Sequence, residues 1–122
     1  MFSHVMVGAK DVDASKKFYD AVFAAIGVPA SVADPKGRFW WRTPTGNFGV
    51  GKPIDGKPAS FANGGTIGIA CDSPEKVKAF HDAGVANGGT SIEDPPGPRG
   101  KLYLAYLRDP DGNKLCALHR GS

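Results

Sequence analysis

Cysteine is scarce in this chain of 122 residues. Its two cysteines, Cys71 and Cys116, lack the Cys-x-x-Cys spacing of zinc and redox motifs. They also fall at opposite positions of strand alternation in the strands predicted for them, so we do not expect them to form a disulfide. Reduced thiols are the usual state in the cytosol, and we therefore predict a cytoplasmic protein.

Long apolar runs and clusters of one charge are also missing. No apolar segment approaches the length of a transmembrane helix, and the first residues lack the pattern of a signal peptide. The net charge is +3, but the 15 lysines and arginines are scattered along the chain. We therefore expect no membrane partner and no nucleic-acid partner.

Glycine and proline, in contrast, are abundant. The 17 glycines and 10 prolines indicate many turns. A hydrophobic fraction of 41% and a charged fraction of 22% are typical of a globular protein. The length predicts a single domain, residues 1–122.

One turn near the end of the chain has a partial copy upstream. Pro110, Gly112 and Asn113 suit a tight turn, which predicts an antiparallel hairpin over residues 103–118. The motif Arg-x-Pro-x-Gly-Asn that begins at Arg108 also begins at Arg42, an offset of 66 residues (108 minus 42).

A second repeat has nearly the same offset. Residues 4–27 align without gaps with residues 66–89, an offset of 62 residues (66 minus 4), and the matches include Phe18 with Phe80 and Gly27 with Gly89. Two similar offsets in the same order indicate a duplicated unit. We place the first unit at residues 1–51, a linker at 52–63 and the second unit at 64–120.

Each unit is predicted as a strand, a helix and further strands. In the first unit, Asp11 or Asp13 caps the helix, Gly27 ends it, and the predicted strands are 2–8, 28–33, 38–42 and 48–50. In the second unit, a strand at 65–71 precedes a helix that begins with Ser73-Pro74. A strand at 90–93, a rigid proline-rich loop at 94–100 and the hairpin complete it.

Several of these segments together resemble a known family. They are His4-Val5-Met6-Val7 followed by Ser15-Lys16-Lys17-Phe18-Tyr19-Asp20, then Phe80-His81, then Tyr106-Leu107-Arg108-Asp109-Pro110-Asp111-Gly112-Asn113. The chain resembles the vicinal oxygen chelate superfamily, which contains glyoxalases, bleomycin-resistance proteins and extradiol dioxygenases. The resemblance implies an α+β fold of two βαβββ modules whose curved sheets surround a central cavity, commonly completed by a homodimer.

The resemblance also implies where a metal ion would bind. Members that hold a metal use His, Gln or Glu side chains on the first and last strands of each module. The repeat places these positions at His4, Val50, Thr66 and Cys116. Only His4 matches, although Cys116 could serve as a thiolate ligand to zinc. We predict an incomplete metal site and no resident cofactor, with a divalent metal on His4 and Cys116 as the alternative.

Aromatic residues are concentrated on the strands that would line the cavity. Alternation places Trp40 and Tyr106 at equivalent positions and on a different face from Phe39 and Trp41, so part of the aromatic set belongs to the core. The rest would form a pocket for a small planar or hydrophobic ligand. The predicted substrate-binding residues are Trp40, Trp41, Phe48, Thr66, Tyr103, Tyr106 and Cys116, and His4 is the candidate catalytic residue.

The remaining histidines and acidic residues receive structural interpretations. His81 is predicted to pack on the helix face, and His119 to be solvated. Asp109, Asp111 and Asn113 are predicted to form the turn around Pro110.

Two functions follow as predictions. The first is a protein of the bleomycin-resistance type that binds a small organic molecule without a metal. The alternative is a metal-dependent lyase, isomerase or dioxygenase that uses His4 and Cys116. The residues leave open whether the protein is an enzyme, because function depends on the site and not on the fold.

Overall fold

A computed structural model describes residues 1–121. In chain order the elements are β1 (His4–Gly8), α1 (Val12–Ala24), β2 (Val32–Ala33), β3 (Phe39–Thr43), β4 (Gly46–Gly51), β5 (Ile67–Ala70), α2 (Pro74–Ala86), β6 (Thr90–Arg99), β7 (Leu102–Arg108) and β8 (Lys114–Arg120). Neither helix is long and apolar enough to span a bilayer.

The strands form two four-stranded sheets of the same topology. Module one has the order β1-β4-β3-β2, and module two has the order β5-β8-β7-β6. In each module the first strand pairs in parallel with the last, and the other pairs are antiparallel. The α+β fold of two βαβββ modules is therefore confirmed, and the sheets described here do not close into a barrel.

Both helices begin and pack as their sequences predict. Asp11 caps α1 by accepting a hydrogen bond from the Ala14 N–H, and Ser73 caps α2 in the same way through the Lys76 N–H. Gly27 follows α1 with a φ of 87°, a conformation that favours glycine. The predicted inward residues of α2 are all buried, namely Val77, Phe80, His81 and Gly84.

The two helices pack against each other and join the modules into one core. Phe23 of α1 meets Phe80 of α2 edge to face, with 6.1 Å between ring centroids. The helices approach closely because α2 has glycine at position 84. A Cβ atom there would overlap Leu107 Cδ1 and lie 3.1 Å from Val22 Cγ1.

Polar contacts also cross between the modules. The Tyr19 hydroxyl of α1 donates to Asp109 Oδ2 at 2.6 Å, and the Ser15 hydroxyl donates to Asp111 Oδ2 at 3.1 Å. Asp109 accepts further hydrogen bonds from the N–H groups of Asp111 and Asn113 and from the Asn113 side chain. The predicted turn formers therefore form the turn, and they also fasten module two to α1.

The predicted proline-rich loop belongs to a strand. Residues 94–99 extend β6, which is an edge strand and so tolerates prolines without losing hydrogen bonds to a second neighbour. The register with β7 shifts between Ile92 and Gly97, and Glu93 in this bulge has a φ of 58°. The strand predicted at 28–33 is also shorter, since β2 contains only Val32 and Ala33.

Candidate functional site

Each sheet has one face against the helices and one face turned away from them, which we call the open face. In β1, Val5 and Val7 pack with the core, whereas His4 and Met6 are exposed on the open face. The two open faces are the surfaces on which a ligand could meet strand side chains of both modules.

Two glycines flatten the open face of module one. A Cβ atom on Gly49 would lie 2.5 Å from Trp40 Cζ3, because the indole ring lies across this glycine. A Cβ atom on Gly51 would lie 2.7 Å from Arg38 Cγ and 2.9 Å from Met6 Cε. The absence of side chains on β4 thus lets Trp40 and Arg38 lie close to the backbone.

Three side chains form what we call the Trp40 platform: His4, Arg38 and Trp40. The His4 ring is nearly perpendicular to the Trp40 indole, with 5.8 Å between centroids. The Arg38 guanidinium lies 5.7 Å from the Trp40 ring centroid, within cation–π range. His4 Nδ1 lies 2.8 Å from the Ser3 hydroxyl, with which it shares a hydrogen bond.

The carboxylate of Asp34 connects two members of this platform. Its Oδ2 atom accepts hydrogen bonds from Trp40 Nε1 at 3.0 Å and from Arg38 Nε at 2.6 Å. The hydrogen bond from Trp40 is the largest influence on the pKa of Asp34, which is lowered below its ordinary value. Asp34 is therefore ionised across the physiological pH range.

The open face of module two carries a tyrosine at the equivalent place. Tyr106 pairs in register with Cys116. Its ring is approached by Lys114 Nζ at 4.8 Å and by the Arg99 guanidinium at 5.4 Å. Glu93 pairs with Lys114, and Asp94 pairs with Arg99 at 2.8 Å, so both cations are held by carboxylates from the β6 bulge.

Cys116 lies on this open face but is only 6% exposed. Burial is the largest cause that raises the pKa of its thiol, so a thiolate is disfavoured there. Thr66, directly before β5, is exposed. Of the predicted substrate-binding residues, Trp40, Tyr106 and Cys116 thus lie on the open faces, and Thr66 lies at the edge of module two.

The other predicted binding aromatics face the helices, which corrects their expected position. Trp41 is 1% exposed, and its Nε1 atom donates to Asp20 at 2.9 Å. Phe48 is also buried, and Tyr103 packs against the core. Alternation along each strand places these three opposite Trp40 and Tyr106. Trp41 and Phe48 border a separate cleft of about 360 Å³ between module one and β5.

Two histidines outside the platform are held by hydrogen bonds. His81 Nε2 lies 2.8 Å from the Ser91 hydroxyl, and Nδ1 lies 3.0 Å from Asp82 Oδ1, so both ring nitrogens have partners on the packed helix face. His119 is half-buried and its Nδ1 donates to the Cys71 carbonyl at 2.9 Å. The expectation that His119 is solvated is therefore wrong.

The strand registers correct one of the four positions implied for metal ligands. Trp40 pairs with Gly49, and its equivalent Tyr106 pairs with Cys116. The residue equivalent to Cys116 is thus Gly49 and not Val50, which is fully buried in the core. The offset between β4 and β8 is 67 residues (116 minus 49), because the β7–β8 turn is one residue longer than the repeat implies.

The resulting set of His4, Gly49, Thr66 and Cys116 does not fit a divalent metal. It contains one imidazole, one neutral hydroxyl and one thiol of raised pKa, whereas Gly49 has no donor and is covered by Trp40. Within residues 1–121, no three His, Cys, Asp or Glu side chains are grouped to hold an ion.

The largest cavity found in the described part of the chain lies next to the platform. It has a volume of about 1080 Å³ and is bounded by module one on one side and the linker on the other. Arg38 and Met6 line it from the sheet, and Pro53 and Ile54 line it from the linker. Lys36 and Lys52 add positive charge to its wall.

Sequence reasoning did not identify Arg38, Asp34 or Gly49 as parts of the site. Arg38 and Trp40 are two residues apart on one strand face, and Gly49 and Gly51 are two apart on the next strand. That double alternation is the signal that would have found them. The hydrogen bonds of Asp34 have no comparable pattern in sequence.

Comparison with known proteins places this geometry in a family context. A family model for the Glyoxalase/Bleomycin resistance protein/Dioxygenase superfamily matches residues 1–117. The crystal structure of a glyoxalase/bleomycin resistance protein from Albidiferax ferrireducens T118 is 60% identical, with 98% of each chain covered and a TM-score of 0.95. No match was found among curated proteins.

More distant structures share the fold. A glyoxalase/bleomycin resistance protein/dioxygenase family enzyme from Burkholderia phytofirmans PsJN is 20% identical, with 97% of each chain covered and a TM-score of 0.73. A glyoxalase-related enzyme from Fulvimarina pelagi is 18% identical over 97% of this chain and 86% of its own, with a TM-score of 0.70. At these identities the likeness is one of fold alone.

Proposed function

The chain belongs to the Glyoxalase/Bleomycin resistance protein/Dioxygenase superfamily, and on this premise we propose that it binds a small planar organic molecule on the Trp40 platform without a metal ion. The observation that carries this proposal is the indole of Trp40 lying across Gly49. An aromatic ring fixed flat on a sheet offers its outer face for stacking, and the polar groups of His4 and Arg38 at its edge can orient a ligand.

The donor set supports binding without a metal. The position on β4 that corresponds to Cys116 carries no side chain, and Trp40 fills the space above it. His4 is then a polar contact of the ligand and the candidate for acid–base chemistry on this face.

We further propose that the site is completed by a second copy of the chain. Within residues 1–121, each of β1 and β5 hydrogen-bonds to one neighbouring strand, so each has an edge that a partner can cover. Phe2 and Met6, beside and on β1, are exposed apolar side chains. The buried, unpaired cysteines fit the cytoplasm as the location of this homodimer.

The binding proposal is tested by calorimetric titration with a planar probe, 1-naphthoate, in protein treated with a chelator. Trp40→Ala removes the stacking surface and should weaken binding about tenfold or more. Tyr106→Ala removes the aromatic ring of the other open face and is the matched control. Equal affinity in the wild type and in Trp40→Ala would rule out the platform as the binding surface.

The metal-dependent alternative is tested by the metal content of purified protein, measured by mass spectrometry beside His4→Ala. We expect less than about one ion per ten chains after incubation with zinc, iron, manganese or nickel, because the donor set is too small. About one ion per chain that disappears in His4→Ala would instead establish the alternative of a lyase, isomerase or dioxygenase.

A further inference from the structure

Asp34 divides its two carboxylate oxygens between two tasks. Oδ1 accepts the N–H groups of Lys36 at 2.8 Å and Arg38 at 3.0 Å, which closes the turn between β2 and β3. Oδ2 accepts the side chains of Arg38 and Trp40. One residue thus fixes the turn and, from it, the two side chains that lie on the glycines of β4.

The geometry of Arg38 leaves part of its guanidinium for a ligand. Within residues 1–121 its side-chain hydrogen bond uses Nε, so both terminal nitrogens are available, and Arg38 lines the cavity of about 1080 Å³. Two parallel N–H groups match the two oxygens of a carboxylate. Lys36 and Lys52 on the same cavity add to the attraction for an anion.

We propose that Asp34 is the positioning residue of the Trp40 platform, and that the platform selects planar aromatic carboxylates, with the ring stacked on Trp40 and the carboxylate on the free end of Arg38. The choice of ligand class rests on the proposed binding function. The role of Asp34 does not, because it can be measured in the free protein.

A second tryptophan provides an internal comparison. Trp41 also donates its indole N–H to an aspartate, Asp20, but on the helix-facing side of the sheet. Asp20 Oδ1 accepts both the Trp41 indole and the Ser31 N–H, and Oδ2 accepts Lys16 Nζ. An amide at position 20 can therefore keep the indole contact through its single oxygen.

An amide at position 34 cannot keep both sets of contacts. In Asp34→Asn the remaining side-chain oxygen can replace Oδ1 in the turn, but the amide nitrogen then faces two donors, Arg38 Nε and Trp40 Nε1. The substitution preserves the turn and releases the platform. It therefore separates positioning from folding.

The first experiment compares the two indole N–H resonances in ¹H–¹⁵N spectra of ligand-free protein, assigned with Trp40→Phe. We expect Asp34→Asn to shift or broaden the Trp40 resonance and leave the Trp41 resonance unchanged, with little change in melting temperature. Asp20→Asn is the matched control and should leave Trp40 unchanged. A Trp40 resonance that is identical in Asp34→Asn and the wild type would overturn the positioning role.

The second experiment measures binding of 1-naphthoate and its neutral analogue 1-naphthamide. The wild type should prefer 1-naphthoate about tenfold, and Arg38→Gln should remove the preference. Asp34→Asn should weaken 1-naphthoate binding while Asp20→Asn does not.

The outcomes separate the two proposals. Equal affinity of the wild type for the two probes would overturn the carboxylate class and leave the planar-ligand function standing. Failure of the wild type to bind either probe would overturn both the ligand class and the proposed function. The indole resonances decide the role of Asp34 in either case.

Discussion

The two modules share one backbone plan but differ in their polar contacts. Tyr19 of module one reaches Asp109 in the β7–β8 turn of module two. The offsets of 62 and 66 residues map this pair onto His81 (19 plus 62) and Thr43 (109 minus 66). Those two residues bond elsewhere, because His81 bonds Asp82 and Ser91 within module two and the Thr43 hydroxyl donates to the Gly46 carbonyl.

The difference shows how a duplicated fold can become a single domain with one site. The longer turn of module two clamps α1, whereas the shorter turn of module one stays within its own hairpin. The open faces have diverged too, since a glycine below Trp40 stands opposite a cysteine beside Tyr106. Module two thus supplies rigidity to module one, and module one offers the flatter binding surface.

The largest predicted effect removes the clamp. Asp109 is 3% exposed and accepts four hydrogen bonds, so Asp109→Ala should destabilise the protein by about 3–5 kcal/mol through the donors left unsatisfied. Equilibrium urea unfolding measures the change. Thr43→Ala at the equivalent position is the control and should cost less than about 1 kcal/mol. Similar losses in the two variants would show that the modules are not asymmetric in this way.

The next effect concerns the helix contact, where Val22 and Gly84 occupy equivalent positions (84 minus 62). Gly84→Ala makes α2 more like α1, and its Cβ would overlap Leu107, which is fully buried. We expect a loss of about 1–3 kcal/mol from overpacking. Gly68→Ala in β5 is the control, because a Cβ there meets nothing within 4 Å. A more stable Gly84→Ala variant would mean that the helices can separate without cost.

A third effect appears at alkaline pH. Burial, followed by the charge of Asp109, raises the pKa of Tyr19 well above 10.0 in the folded state. The folded protein therefore favours the protonated phenol, so this contribution is complete below the unfolded pKa near 10 and is lost as pH rises above it. The loss should be about 1.4 kcal/mol per pH unit.

Tyr19→Phe should flatten this decline between about pH 10 and 11, measured as the slope of unfolding free energy against pH. The equivalent residue in module two is a histidine and contributes no phenol. The Cys71 thiol, whose pKa burial raises to about 11, gives a similar decline above its ordinary value of 9.0 that remains in the variant. Tyr106→Phe is the matched control, and an identical slope in Tyr19→Phe and the wild type would contradict the prediction.

The sequence predicted the backbone plan better than the site. Caps such as Ser73-Pro74 and the paired turns carry local signals, so the helices, the hairpin and the repeat could be found. The β6 prolines were assigned to a loop because sequence does not reveal that a strand lies at an edge. Val50 was chosen over Gly49 because one extra residue in a turn shifts every later position to the opposite face.

The smallest effect on stability tests the difference between the open faces. Gly49→Ala gives β4 a side chain where β8 has Cys116, and its Cβ would lie 2.5 Å from Trp40. Since Trp40 is half-buried and faces open space, it can swing away at a cost below about 1 kcal/mol. The Trp40 indole resonance should move and 1-naphthoate should bind several-fold more weakly, whereas Cys116→Ala changes neither. If Gly49→Ala binds as the wild type does, a flat glycine surface is not what distinguishes module one, and the platform would depend on Asp34 and Arg38 alone.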